Sequence, residues 1–147
     1  MTTAVNIHRI RPGTAEYAQM LELRDLVLRI PLGLSVQNDN LSQDWQDILL
    51  IASHGSVVIG CAILHPLDKF AVRLRAMAVS PNFQGKGLGR MLVDEAEKIA
   101  WEHGYTRVIL HARIVAAGFY EKMGYARQGE LFTEVGIPHV LMQKDRA

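Results

Sequence analysis

The stretch Ser80-Pro81-Asn82-Phe83-Gln84-Gly85-Lys86-Gly87-Leu88-Gly89 most narrows the folds open to this 147-residue chain. It follows an apolar-alternating run over residues 70–79, which reads as a strand. It leads into a helical pattern with Leu88, Met91, Leu92, Ala96, Ile99 and Ala100 on one stripe and Arg90, Asp94, Glu97 and Lys98 opposite. Glycines alternating between a strand and a helix expose backbone N–H groups beside the positive end of the helix dipole, and the missing side chains let an anion approach. The loop is therefore a candidate phosphate cradle, with Lys86 and Arg90 as nearby cations. The competing reading is a tight strand-to-helix turn that holds nothing.

Two nucleotide frameworks are excluded by local chemistry. A phosphate-loop NTPase needs Gly, four residues, then Gly-Lys-Ser/Thr, and Gly85-Lys86-Gly87 has neither that spacing nor the hydroxyl. A dinucleotide fingerprint needs a third glycine where Arg90 stands, and an acidic residue where Ile109-Leu110-His111 stands.

The remaining elements follow from periodicity and breakers. Residues 5–10 alternate as a strand and stop at Pro12-Gly13; Thr14 then caps a helix over 15–29 that carries Tyr17, Met20, Leu21, Leu23 and Leu28 and ends at Pro31. Residues 32–41 read as irregular. Residues 48–52 and 57–64 form a hairpin around Ser53-His54-Gly55-Ser56, and the helix after the glycine loop stops at His103-Gly104. A strand at 108–110, a short helix at 116–122 closed by Gly124, and strands near 125–133 and 140–142 complete the chain. The expected class is α/β (α+β): a mixed central sheet of about six or seven strands with helices on both faces, in one domain over residues 1–147.

Composition enters mainly by exclusion. With 49% hydrophobic and 21% charged residues the chain is expected to fold, and sixteen Lys and Arg against fifteen Asp and Glu give a net charge of +1, too small a field to argue for nucleic acid or an anionic membrane. The single cysteine, Cys61, sits in an apolar run and is expected to be a buried strand residue. No His, Cys and carboxylate spacing suggests a metal site, and no Ser-centred elbow suggests a covalent acyl enzyme. The N-terminal stretch has no basic start followed by an apolar run and no segment is long enough to cross a bilayer, so a cytoplasmic location is the expectation.

Gln84-Gly85-Lys86-Gly87-Leu88-Gly89, preceded by Met77-Ala78-Val79-Ser80-Pro81, resembles the Gln/Arg-x-x-Gly-x-Gly/Ala signature of the GNAT acetyltransferases. Ala116-Ala117-Gly118-Phe119-Tyr120-Glu121-Lys122-Met123-Gly124-Tyr125 is similar to the family's second signature, Ala-x-x-Phe-Tyr-x-x-x-Gly-Phe. The segment Phe132-Thr133-Glu134-Val135-Gly136-Ile137-Pro138-His139 looks like one that marks the ElaA-like branch. The resemblance implies acetyl-CoA as donor and coenzyme A as product, with the cofactor in a cleft between two parallel strands that splay apart. Its pyrophosphate would lie on Gln84, Gly85, Lys86, Gly87, Leu88, Gly89 and Arg90, and its thioester on backbone groups of Met77, Ala78 and Val79. Phe119, Tyr120 and Arg113 complete the implied contacts, Arg113 standing where many members carry an Asn.

Acetyl transfer needs an amine freed of its extra proton, since an alkyl amine with a pKa of about 10 is protonated at neutral pH. Glu134 and His139 are the base candidates, Glu134 having the alternative of a solvated hairpin residue; His111 reads first as a packed histidine. Tyr120 is the candidate acid for the departing thiolate, with plain helix-face packing as its alternative. Arg73 and Arg75 alternate on one strand face with Met77 and are read as meeting solvent rather than an anionic substrate. The expected acceptor is a small-molecule or peptide amine, a homodimer is compatible with the sequence, and a non-catalytic acetyl-CoA sensor of the same fold is the rival function.

Overall fold

The computed structural model describes residues 4–147; the first three residues of the N-terminal stretch read above lie outside them. Apolar and β-branched runs form β1 (Val5–Ile10), β2 (Ile48–His54), β3 (Val57–Pro66), β4 (Ala71–Val79), β5 (Arg107–Arg113), β6 (Ala126–Glu134) and β7 (Ile137–Asp145). They build one sheet in the order β1-β2-β3-β4-β5-β7-β6, in which only β4 and β5 run parallel. Among the described residues the α-helices are α1 (Ala15–Arg24), α2 (Leu88–Glu102) and α3 (Ala117–Lys122).

Side chains alternate across a sheet, so the central strands β2, β3 and β4 supply both cores. On one face Met20 and Leu23 of α1 bury against Leu49, Ile51, Cys61 and Ile63. On the other, Val93, Ala96 and Ala100 of α2 and Tyr120 of α3 join Leu50, Ala62, Leu64, Val72, Leu74 and Leu110. The mixed seven-stranded sheet with helices on both faces matches the expected class. Burial also accounts for Cys61: its thiol is pushed up to about 12, and its S–H donates to the Ala76 carbonyl at 3.3 Å.

The helix expected over 15–29 is α-helical only to Arg24. A π-helical turn at Asp25–Arg29 and a 3₁₀ turn at Ile30–Leu32 follow, closed by Gly33 in the left-handed region. Side chains compete there with the regular ladder: Asp25 accepts the Val36 N–H at 2.8 Å, and Arg29 donates to Asp39 at 2.9 Å. In α2 the polar stripe is broken by Glu97, which is buried rather than solvated because its carboxylate accepts from the Tyr125 hydroxyl at 2.9 Å and from Lys144 at 2.8 Å. Met91, assigned to the apolar stripe, is exposed.

Two irregularities in β4 create the site. Cys61 pairs with Ala78 and Ile63 with Arg75, so β4 carries one residue more than β3 over that interval. This is a bulge, with Ala76 at φ +52° and both Ala76 and Met77 without a partner in β3. The extra residue inverts the alternation. Arg73 and Arg75 stay on the α1 face while Met77 turns to the α2 face, which corrects the expectation that all three share one. Next, β4 and β5 pair only over Ala71–Leu74 and Arg107–Leu110; beyond Leu74 the two strands share no ladder.

Candidate active site

Where β4 and β5 part, a cleft of about 430 Å³ opens in the middle of the sheet. Its lining comes from both faces: Leu74, Leu110, Ala112 and Tyr120 belong to the α2 side, while Arg73, Arg75, His111 and Arg113 alternate with them on the α1 side. The opening therefore passes through the sheet. Backbone N–H and C=O groups of residues 75–79 that point toward β5 have no ladder partner there.

On the α2 side stands the glycine loop. Gly85 and Gly87 have φ of +76° and +80°, and a Cβ built at either meets nothing within 4 Å. Gly87 caps α2 without a side-chain acceptor, so the first-turn N–H groups face open space beside the positive helix end. An anion of phosphate size fits that cradle. Gln84 spends its side chain on the Val79 carbonyl at 3.0 Å, and Lys86 stands 5.4 Å from the centre of the Phe83 ring. Gly89 links loop to cleft, because a Cβ there lies 3.4 Å from Phe119 Cζ and 3.7 Å from Met77 Cε.

On the α1 side, Glu134 accepts from His111 Nδ1 at 2.9 Å and lies 3.6 Å from His139 Nε2 and 3.7 Å from Arg73. Partial burial opposes its charge. The His111 hydrogen bond, with the charges of His111, Arg73 and His139, outweighs that and holds the carboxyl below its usual range. An ionised carboxylate only accepts, so Nδ1 of His111 carries a proton, and in the neutral form of the ring the lone pair lies on Nε2. His139 is fixed likewise: its Nδ1 donates to the Ile137 carbonyl at 2.9 Å. The hairpin turn that delivers Glu134 has both Val135 and Gly136 at positive φ, a two-residue turn matched to strand twist.

Tyr120 is buried, in edge-on contact with Phe119 and Tyr125, and burial alone pushes its hydroxyl up to about 12. Arg113 reaches the cleft wall, but its guanidinium donates to the Leu28 carbonyl at 3.1 Å.

A family model described as the acetyltransferase (GNAT) family matches residues 17–125. The chain belongs to that family. A Bacillus subtilis protein described as an acetyltransferase is 40% identical over 106 residues, which cover 72% of this GNAT chain and 70% of that protein. An N-acetyltransferase structure from Lactobacillus plantarum superposes with a TM-score of 0.86 at 27% identity, over 97% of this chain and 98% of the other. ElaA of Escherichia coli gives 0.84 at 18% identity, covering 97% and 100%, a likeness of fold. A GNAT acetyltransferase of Elizabethkingia anophelis with acetyl-CoA bound gives 0.73 at 21% identity, covering 97% and 98%.

In this GNAT fold the residues singled out from sequence divide into two groups. Met77, Tyr120, Arg113, Glu134 and His139 line the cleft; Gln84, Gly85, Lys86, Gly87, Leu88, Gly89 and Arg90 do not, and of these Gly89 stands next to Phe119 and the cleft residue Met77. Ala78 is buried with its side chain toward α1, and Val79 packs toward α2, so each offers the cleft backbone alone. Sequence reasoning missed the polar α1 side. Arg73 and Arg75 are half-buried in the cleft rather than spread on an open surface: Arg75 donates to Asp44 and to Asp47, at 3.0 Å each, and Arg73 faces Glu134. The signal lay in the fold expectation itself, since a central strand covered on both faces has no solvent side. Arg24, Arg29 and Asp39 also reach the cleft. Among the described residues no helix is long and apolar enough to cross a membrane, and no group of three or more metal-ligating side chains gathers.

Proposed function

We propose that this GNAT acetyltransferase moves an acetyl group from acetyl-CoA to the amine of an acceptor by direct attack in a ternary complex, residues 1–147 acting as one catalytic unit. The observation that carries this reading is the opening through the sheet, which has Met77 and Tyr120 on its α2 side, with Met77 next to Gly89 of the uncapped glycine loop, and the His111–Glu134 pair on its α1 side. Bound acetyl-CoA supplies the thioester that is attacked, its phosphates matching the chemistry of Gln84 to Arg90 and of the uncapped α2 terminus.

His111 Nε2 takes the proton from the incoming amine, while Glu134 keeps the imidazole in the tautomer that can accept it. The amine nitrogen bonds to the acetyl carbon as the carbon–sulfur bond breaks, and the further proton that the nitrogen loses on becoming an amide goes to the departing sulfur. Free N–H groups at the β4 bulge, around Met77 to Val79, stabilise the charge that develops on the acetyl oxygen. Tyr120 donates a hydrogen bond to the departing sulfur. With its hydroxyl at about 12 against a thiol near ~8.5, complete transfer of the proton is uphill, so its contribution is a charge-assisted hydrogen bond. His139 supports Glu134 from behind. Glu134 itself is too weak a base to be the first proton acceptor, and its work is positioning and attraction of the cationic amine.

The deciding experiment is acetyl-CoA-dependent release of free thiol over a panel of amines. A sensor of the same fold binds acetyl-CoA and releases none. Tyr120→Phe keeps the ring and removes the donor; kcat is expected to fall by about 10- to 100-fold, the worth of a hydrogen bond to a charged group, with acetyl-CoA affinity retained. An unchanged kcat removes Tyr120 from the reaction.

Gly89 gives the clean test of the cofactor approach, because Gly85 and Gly87 sit at positive φ and any side chain there strains the backbone for reasons unrelated to binding. Gly89→Ala should bind normally and gain up to about 1 kcal/mol of helix stability. Gly89→Val pushes into Phe119 and Met77 and should weaken acetyl-CoA binding by about tenfold, roughly 1.4 kcal/mol, as read by calorimetry. Equal affinity in all three proteins moves the cofactor away from this loop.

A further inference from the structure

Five arginines line the cleft, and the carboxylates around them do not neutralise all five equally. Arg24 donates to Asp44 at 2.9 Å, Arg29 to Asp39 at 2.9 Å, and Arg75 to Asp44 and Asp47 at 3.0 Å each. Arg73 makes no such bond. Its nearest acidic oxygen, on Glu134, is 3.7 Å from Nη2, outside hydrogen-bond range, and its buried Nε has no partner at all. Arg113 has a backbone carbonyl and no carboxylate. Arg75 Nε is likewise buried without a partner, but the Arg75 terminal nitrogen is held by two carboxylates; at Arg73 a buried unmet donor is costly, and the terminal nitrogens, partly exposed in the cleft, form a fork shaped to receive a carboxylate in two hydrogen bonds.

We propose that the acceptor is an amine that also carries a carboxylate, as an α-amino acid does, with Arg73 holding the carboxylate and Glu134 with His111 facing the amine. The inference rests on the acetyl-transfer reading above. The 3.7 Å between Arg73 and Glu134 fits an acceptor whose cationic and anionic groups are a carbon or two apart. A singly charged carboxylate suits the site better than a phosphate, because Glu134 stays ionised beside Arg73 and repels a dianion more strongly. The buried Asp44 and Asp47 pin Arg75 alongside, so the cationic wall does not fold away when the site is empty of substrate.

The test compares matched probes on the full chain: L-phenylalanine, its amide and 2-phenylethylamine; L-leucine, its amide and isopentylamine; and O-phosphoethanolamine. Thiol release gives kcat/KM, and calorimetry on the protein saturated with coenzyme A gives affinity independently of turnover. In the native protein the free acids should lead their amides by about 10- to 100-fold, the range of a charge-assisted hydrogen-bond pair. Arg73→Gln should level that ratio, and Arg73→Lys should recover part of it, since charge returns without the fork. Amides or plain amines used as well as the acids overturn the acceptor assignment and leave acetyl transfer standing. Acids that bind through Arg73 while no probe releases thiol keep the anion site and overturn acetyl transfer. A preference that survives Arg73→Gln, a preference for the phosphate, or no binding by any probe overturns the assignment to Arg73.

Discussion

Replacing His111 with alanine is expected to lower kcat by about 10²–10⁴-fold, the range for a positioned general base, while acetyl-CoA binds as before. The imidazole is held by one hydrogen bond, Nδ1–H to Glu134 at 2.9 Å, and by edge contact with Phe132, and it lines the α1 side of the cleft. Glu134→Gln then separates base from positioner. Because Glu134 is already held below the ordinary carboxylate range, it does not titrate where the enzyme is assayed near neutrality. Its loss should therefore lower the pH–rate profile while an acid limb persists, because the base on His111 remains. A profile whose acid limb disappears in Glu134→Gln makes Glu134 the base instead, and wild-type turnover in His111→Ala ends the role given to His111.

Asp44→Ala is expected to cost about 3–5 kcal/mol of stability, the usual consequence of deleting one partner from a buried ion pair. The Asp44 side chain is fully buried, accepts the Tyr17 hydroxyl at 2.6 Å, and receives Arg24 and Arg75 at 2.9 and 3.0 Å. Burial disfavours its charge, yet the Tyr17 and Arg24 hydrogen bonds and the two guanidinium charges hold its carboxyl below the usual value. Burial, then Asp44, push the Tyr17 hydroxyl up to about 12. Since the folded-state carboxyl is depressed, its stabilisation is present above the unfolded value and disappears as pH falls through the folded one. Wild type should thus lose more stability on acidification than Asp44→Ala does. Tyr17→Phe, which removes one hydrogen bond and leaves the ion pairs, should cost only about 1 kcal/mol. Denaturant melts that put Asp44→Ala within that smaller cost show that the network does not hold the loop over residues 36–45 against β4.

Local rules sufficed for the parts of the molecule that are local. The glycine loop, the Thr14 cap, the β2–β3 hairpin and α3 depend on neighbours in sequence, and each formed where turn residues and periodicity put it. The bulge is different. Nothing in Ala-Val-Arg-Leu-Arg-Ala-Met-Ala-Val says that β3 will pair one residue short, and that single slip decides that Met77 faces α2 while Arg73 and Arg75 face α1. The burial of Glu97 is likewise set by Tyr125 and Lys144, distant in sequence. Residues 32–41 read as irregular, and short 3₁₀ turns at Val36–Asn38 and Leu41–Trp45 run through and beyond them; the carboxylates at 39, 44 and 47 complete the cationic wall, a pairing visible only once β4 is known to be covered on both sides.

Because the opening between β4 and β5 runs from one face of the sheet to the other, it has two doors. Donor and acceptor need not queue at a shared entrance, and neither bars the other's exit. In the reaction proposed above no hinged cover is required to bring them together, since the sheet itself is the partition across which the acetyl group passes. The cost is that nothing in the topology prevents spent coenzyme A and a fresh acceptor from occupying the two sides at once, an unproductive pairing that the architecture permits as readily as the productive one.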